Sequence, residues 1–99
     1  MIKRIVKMTF RPEAVDTFLH DVFEGSKAQI RAFEGCLHME LLQSKKQSNV
    51  LFTLSHWEDE AALDRYRASD LFAATWTRTK ALFAEKAEAW SLEILDEPA

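Results

Sequence analysis

An α+β domain with the element order β-α-β-β-α-β is predicted by three features of this 99-residue sequence. Apolar and polar residues alternate near both ends, the period-2 signature of a strand with one buried face. Apolar residues recur at helical spacing in two stretches, over about 12–33 and again from Asp59 onward. Between those stretches lie two apolar, β-prone runs, CLHMELLQS and NVLFTLSHW, separated by a polar tip around KKQ.

In the first strand, IKRIVKMTF, the residues Ile2, Arg4, Val6, Met8 and Phe10 share one side, and Lys3, Ile5, Lys7 and Thr9 the other. Pro12 suits the first turn of a helix, where its fixed φ is already helical and the N–H it lacks would have no partner. Val15, Phe18, Leu19, Val22, Phe23, Ile30 and Phe33 then make an amphipathic helix over about 12–33, with Gly25 a weak point inside it and Gly35 its terminator. The two apolar runs read as a hairpin. A turn centred on Gln47 puts His38 opposite His56 and Glu40 opposite Leu54, whereas a slip of one residue sends the histidines to opposite faces; the sequence does not choose between the two. DEAALDRYRA starts a short helix with acidic residues, which suit the positive end of a helix dipole. Ser69 caps a further helical segment with the inward stripe Leu71, Phe72, Trp76, Thr79 and Phe83 and the charged AEKAEA near its end. AWSLEIL alternates as the last strand, with Trp90, Leu92 and Ile94 on one side.

This order has a favoured solution, the ferredoxin-like arrangement, in which a four-stranded antiparallel sheet carries both helices on one face. The opposite face is then bare. With Ile5 and Thr9 on the first strand and Leu95 on the last it is too apolar to stay wet, so a second copy is expected to cover it as a homodimer, a dimeric α+β barrel.

Composition narrows the function classes. Two glycines and two prolines leave little room for a linker, so residues 1–99 are expected to form one domain. A net charge of −3, spread along the chain, argues against nucleic acid and against an anionic membrane as partners. No stretch approaches the roughly 20 apolar residues of a membrane span, and MIKRIVKMTF lacks the apolar core and cleavage site of a signal peptide, so a cytoplasmic location is expected. The single cysteine, Cys36, reads as a small strand residue. There is no glycine-rich phosphate loop, no Cys/His zinc spacing and no Gly-x-Ser-x-Gly turn, which sets aside nucleotide-dependent chemistry and serine hydrolysis.

One stretch carries a more particular signal. In HWEDEAALDRYRASDLF a strand ends on Trp57 and runs at once into Glu58 and Asp59, then Ala62 and Leu63, Tyr66, and the Ser69, Asp70, Phe72 segment that opens a long helix. This pattern resembles the antibiotic biosynthesis monooxygenase (ABM) family of dimeric α+β barrels, and the likeness extends through length and element order over the whole chain. The resemblance implies one of three roles: cofactor-independent oxygenation of a phenol or quinol, degradation of haem, or a family member without established activity.

The haem-degrading branch uses an Asn, a Trp and a His where this chain has Val6, Tyr66 and Trp76, so the resemblance supplies no axial imidazole. His20 on the first helix could substitute in principle, though a solvated helix histidine is the ordinary reading. Cofactor-free oxygenation needs only a flat apolar slot, a proton acceptor and a group that stabilises an oxyanion, because a deprotonated electron-rich arene can itself pass an electron to oxygen. Trp57, Tyr66, Phe72 and Trp76 are the candidates for the slot, His56 or His38 for the proton acceptor, and Arg78 or Tyr66 for the oxyanion. By this resemblance Trp57 corresponds to a residue that oxygenating relatives use, Tyr66 and Arg78 fall only near the places of their Tyr and Arg, and their Asn has no secure counterpart. Each has an ordinary alternative: Trp57 as a plug at a strand end, Tyr66 and Trp76 as helix-to-sheet packing, Arg78 as a solvated charge. His38, Glu40 and His56 would form a two-His-one-carboxylate set in one of the two hairpin registers, but such spacing is no metal motif. The expectation is therefore a small homodimeric oxidoreductase that takes a hydrophobic aromatic molecule and needs neither cofactor nor metal. A non-catalytic dimeric binding domain is its alternative, and a haem protein a lesser one.

Overall fold

Strand β1 (Ile2–Thr9) lies inside a four-stranded sheet of order β2-β3-β1-β4 in the computed structural model, which describes residues 1–98. It pairs antiparallel with β3 (Val50–Trp57) on one side and β4 (Glu88–Glu93) on the other, and β2 (Cys36–Gln43) completes the sheet beyond β3. The predicted βαββαβ order and ferredoxin-like topology are what the chain adopts. The alternation in β1 sorts as expected, with Ile2, Met8 and Phe10 buried beneath the helices.

The β2–β3 register is the one centred on Gln47: His38 faces His56 and Glu40 faces Leu54. A bulge between Cys36 and His38 adds one residue at Leu37, so Cys36 still pairs with Trp57 on the helix side of the sheet.

From Pro12 to Arg31 the chain is helical but not uniform. A 3₁₀ turn (Pro12–Ala14) leads into α1 (Val15–Thr17), a π-helical stretch (Phe18–Phe23) and α2 (Glu24–Arg31). Gly25, the expected weak point, sits in regular helix; the irregularity falls one turn earlier, in the π-helical stretch that buries Phe18 and Val22. Gly35 ends the segment with φ +90°. It is required there twice over, because a Cβ at this position would also collide with the Ala62 Cβ of α3 (Glu60–Arg67).

Asp59 caps α3, accepting a hydrogen bond from the Ala62 N–H at 2.8 Å, and Ser69 caps α4 (Asp70–Lys80), accepting from the Phe72 N–H at 3.1 Å. α4 is shorter than its apolar stripe suggested. Phe83 lies beyond it, bridged to Phe10, because the Ala84 N–H leaves the helix to reach the Thr9 carbonyl at 2.9 Å. AEKAEA is accordingly not helical and leads into β4. Leu95 also departs from expectation: it is 93% exposed past the end of β4, and the outward residues of that strand are Trp90 and Leu92, which pair with Ile5 and Lys3.

The core is divided. One cluster gathers Met8, Phe10, Phe18, Val22 and Leu51 at one end of the sheet, and a second gathers Ile2, Trp57, Ala62 and Leu63 at the other. No helix among the described residues is long and apolar enough to cross a membrane.

Candidate functional site

A cavity of about 300 Å³ opens between the helix-side face of the sheet and the helices. Its origin is compositional. The sheet face that separates the two core clusters carries Val6, Thr53, Ser55 and Ala89, which the strand registers bring side by side and which are too small to reach the helices. Longer residues at either end hold the layers apart, so the middle stays open.

Aromatic rings wall this space. Trp57 is 1% exposed, and its Nε1–H donates to the buried Ser55 Oγ at 3.0 Å. Its indole stacks on Tyr66 with centroids 4.9 Å apart and 26° between planes. Phe72 meets Tyr66 edge-on at 5.3 Å, and Trp76 lies nearly parallel to Phe72 at 5.8 Å. Phe18 and Phe23 close the far wall from the π-helical stretch, 6.1 Å apart. In such a stretch the hydrogen bonds run i to i+5, and the widened turn lets residues five apart share a face, which is what these two do.

The four aromatic residues proposed from sequence as the slot, Trp57, Tyr66, Phe72 and Trp76, all line the cavity. The three polar candidates do not. His56 follows its neighbour's opposite parity: adjacent strand residues point to opposite faces, so with Trp57 inward His56 is outward, and His38 pairs with it there. Their rings lie 5.2 Å apart, and His38 Nε2 is 3.3 Å from Glu40 Oε2. Partial burial, with Lys3 and His38 adding positive charge nearby, lowers the His56 pKa. The sheet thus separates both histidines from the cavity of their own chain. Arg78 is exposed and donates to the Asp21 carbonyl, tying α4 to the first helical segment. Two positions from Trp76, it is carried about 200° around the helix. The third histidine, His20, is exposed on the first helical segment and does not line the cavity either. With no imidazole or thiol among the lining residues, the cavity does not fit a haem held by either group. Among the described residues no group of three His, Cys, Asp or Glu side chains could hold a metal ion.

Sequence reasoning missed Arg4 and Arg67, both of which line the cavity. Arg4 stands on the inward face of β1 between Ser55 and Ser91 and donates to Ser91 Oγ at 2.8 Å. Its signal was present, since an arginine sharing the parity of Ile2, Val6 and Met8 has to sit among apolar residues. Burial pushes its pKa down, and the charge of Arg67 adds to the shift. Tyr66 is affected in the opposite sense: burial, with Cys36 contributing, raises its phenol to about 12, so it is a protonated donor at neutral pH.

Fold and cavity together define a ferredoxin-like α+β protein with an aromatic-walled pocket between sheet and helices. The chain belongs to the antibiotic biosynthesis monooxygenase family, whose profile matches residues 1–78. Among solved structures, PA3566 from Pseudomonas aeruginosa is 25% identical, with 96% of this chain and 94% of that one covered and a TM-score of 0.81. A conserved protein from Methanosarcina mazei Go1 is 23% identical over 92% and 89% of the two chains, with a TM-score of 0.87. A mutant of SnoaB, a cofactor-independent oxygenase from Streptomyces nogalater, is 19% identical over 97% and 94%, with a TM-score of 0.82. No curated protein sequence gives a significant match.

Proposed function

We propose that this protein binds a flat, electron-rich aromatic molecule, a phenol or quinol, between Trp57, Tyr66, Phe72 and Trp76 and oxygenates it with O₂ and no cofactor. The observation that carries this reading is the aromatic-walled cavity of about 300 Å³, a volume suited to a small ring system. The similarity to SnoaB supports it.

The chemistry asks little of the protein. Once ionised, the arene passes one electron to O₂. The aryloxyl radical and superoxide combine at a ring carbon, the peroxide takes up a proton, and loss of water leaves a quinone. One molecule of phenol and one of O₂ become one quinone and one water. The protein's part is to exclude solvent, hold the ring and stabilise negative charge, for which the Tyr66 O–H is a donor. His56 and His38, expected to accept the phenolic proton, are replaced in this account, because they lie across the sheet.

The working unit is a homodimer formed through the outer sheet face. Trp90 at 43%, Leu92 at 45% and Leu42 at 43% exposure support this, with Ile5, Phe52 and Leu54 continuing the same face.

One observation favours a second reading, a non-catalytic binding domain on the same dimer: no carboxylate or imidazole lines the cavity to receive a proton. Oxygen uptake by chelator-treated protein over a panel of anthrols, naphthols and reduced quinones, corrected for autoxidation, separates the two. Uptake that falls in Phe72→Ala supports the oxygenase. Saturable Trp quenching by the same compounds with no uptake supports the binder.

A further inference from the structure

A cation on the packed face of a sheet ordinarily has a carboxylate partner. Arg4 has none: among the described residues neither it nor Arg67 takes part in an ion pair within 4.0 Å. The pairing it does have, to the Ser91 hydroxyl, leaves the guanidinium charge uncompensated. The cavity wall supplies no negative charge either, since Asp and Glu are absent from its lining. Two unneutralised guanidinium groups therefore border one small apolar space, Arg4 from the floor of the sheet and Arg67 from the last turn of α3. Such an arrangement is unfavourable when empty, and an anion relieves it by supplying the negative charge that neither guanidinium has beside it.

We infer that Arg4 and Arg67 form an anion subsite, so that the cavity selects aromatic oxyanions, as a ring carboxylate or a phenolate, over neutral aromatics of the same size. This deepens the proposed function and rests on its reading of the cavity as an aromatic site. It also bears on the missing proton acceptor. A phenol between two cations ionises at lower pH than it does in water, so it can lose its proton to solvent without an internal base.

The test compares 1-naphthoate with 1-naphthalenemethanol, a charged and a neutral probe of equal ring size, by quenching of tryptophan fluorescence. The native protein is expected to bind 1-naphthoate at least tenfold more tightly. That advantage should fall to within about threefold in Arg67→Gln, where the residue is exposed and the fold is not at risk, and likewise in Arg4→Gln. Equal binding of the two probes by native protein, or a preference that survives both substitutions, overturns the inference and leaves the aromatic site standing. Failure of both probes to bind overturns the aromatic reading and the inference with it. Absorbance titration of bound 1-naphthol assigns the anion. Ionisation at lower pH than in free solution, abolished by either substitution, identifies the phenolate; unshifted ionisation beside a retained naphthoate preference identifies the carboxylate.

Discussion

Trp57 and Tyr66 stack with centroids 4.9 Å apart, one ring from the end of β3 and the other from α3, and the Trp57 indole is anchored by its bond to Ser55. This pair joins the second core cluster to the cavity wall, so Trp57 is at once a plug and a surface.

The Trp57→Ala variant is therefore expected to lose about 3–5 kcal/mol of stability by urea denaturation, the cost of emptying a buried aromatic site. Trp57→Phe should cost about 1–2 kcal/mol, because the ring contact persists while the Ser55 hydroxyl loses its donor. Equal stability of Trp57→Ala and native protein would show that the indole does not support the core.

Phe72 is the cleaner functional probe. It lines the cavity and is only half-buried, at the first turn of α4 behind its Ser69 cap. Phe72→Ala should weaken binding of a naphthol about tenfold while shifting the urea midpoint little, and fluorescence titration beside a denaturation curve reads both.

Gly35 is expected to tolerate no side chain. Gly35→Ala meets both left-handed backbone strain and the Ala62 Cβ, together about 2–4 kcal/mol. A loss under 1 kcal/mol by thermal or urea unfolding would mean that α3 moves aside freely.

Tyr66 makes stability pH-dependent on the alkaline side. Its folded pKa, raised to about 12, exceeds the unfolded value near 10, so above pH 10 the unfolded chain releases the proton first and ionisation favours unfolding. The stabilising contribution is complete below about pH 10 and is lost as pH climbs toward 12, by at most about 2–3 kcal/mol. Tyr66→Phe should flatten that part of the profile; an unchanged alkaline slope in the variant would assign the loss to other groups.

The outer sheet face should govern self-association. Placing a charge on its exposed apolar surface with Trp90→Glu, on the edge strand β4, is expected to raise the dimer dissociation constant at least tenfold, read by sedimentation equilibrium. A protein that is monomeric before the substitution would remove the dimer from the proposed function.

Elements and their faces were legible in the sequence because they depend on short periods. Alternation along IKRIVKMTF put Ile2, Met8 and Phe10 inside, Asp59 and Ser69 announced two helix starts, and the spacing about Gln47 contained the register that the hairpin adopts. The same alternation already implied that His56 and Trp57 diverge, since neighbours on a strand cannot share a face. Other features depended on residues far apart in the chain. The cavity exists because Val6, Thr53, Ser55 and Ala89, small side chains from three strands, fall together where the helices cannot follow. Arg4 and Arg67 meet at its wall only once α3 has docked on β1 and β3, and Phe83 leaves its helix because the Thr9 carbonyl offers a partner. Periodicity assigns a side chain to a face; packing alone decides which faces meet and where they leave space.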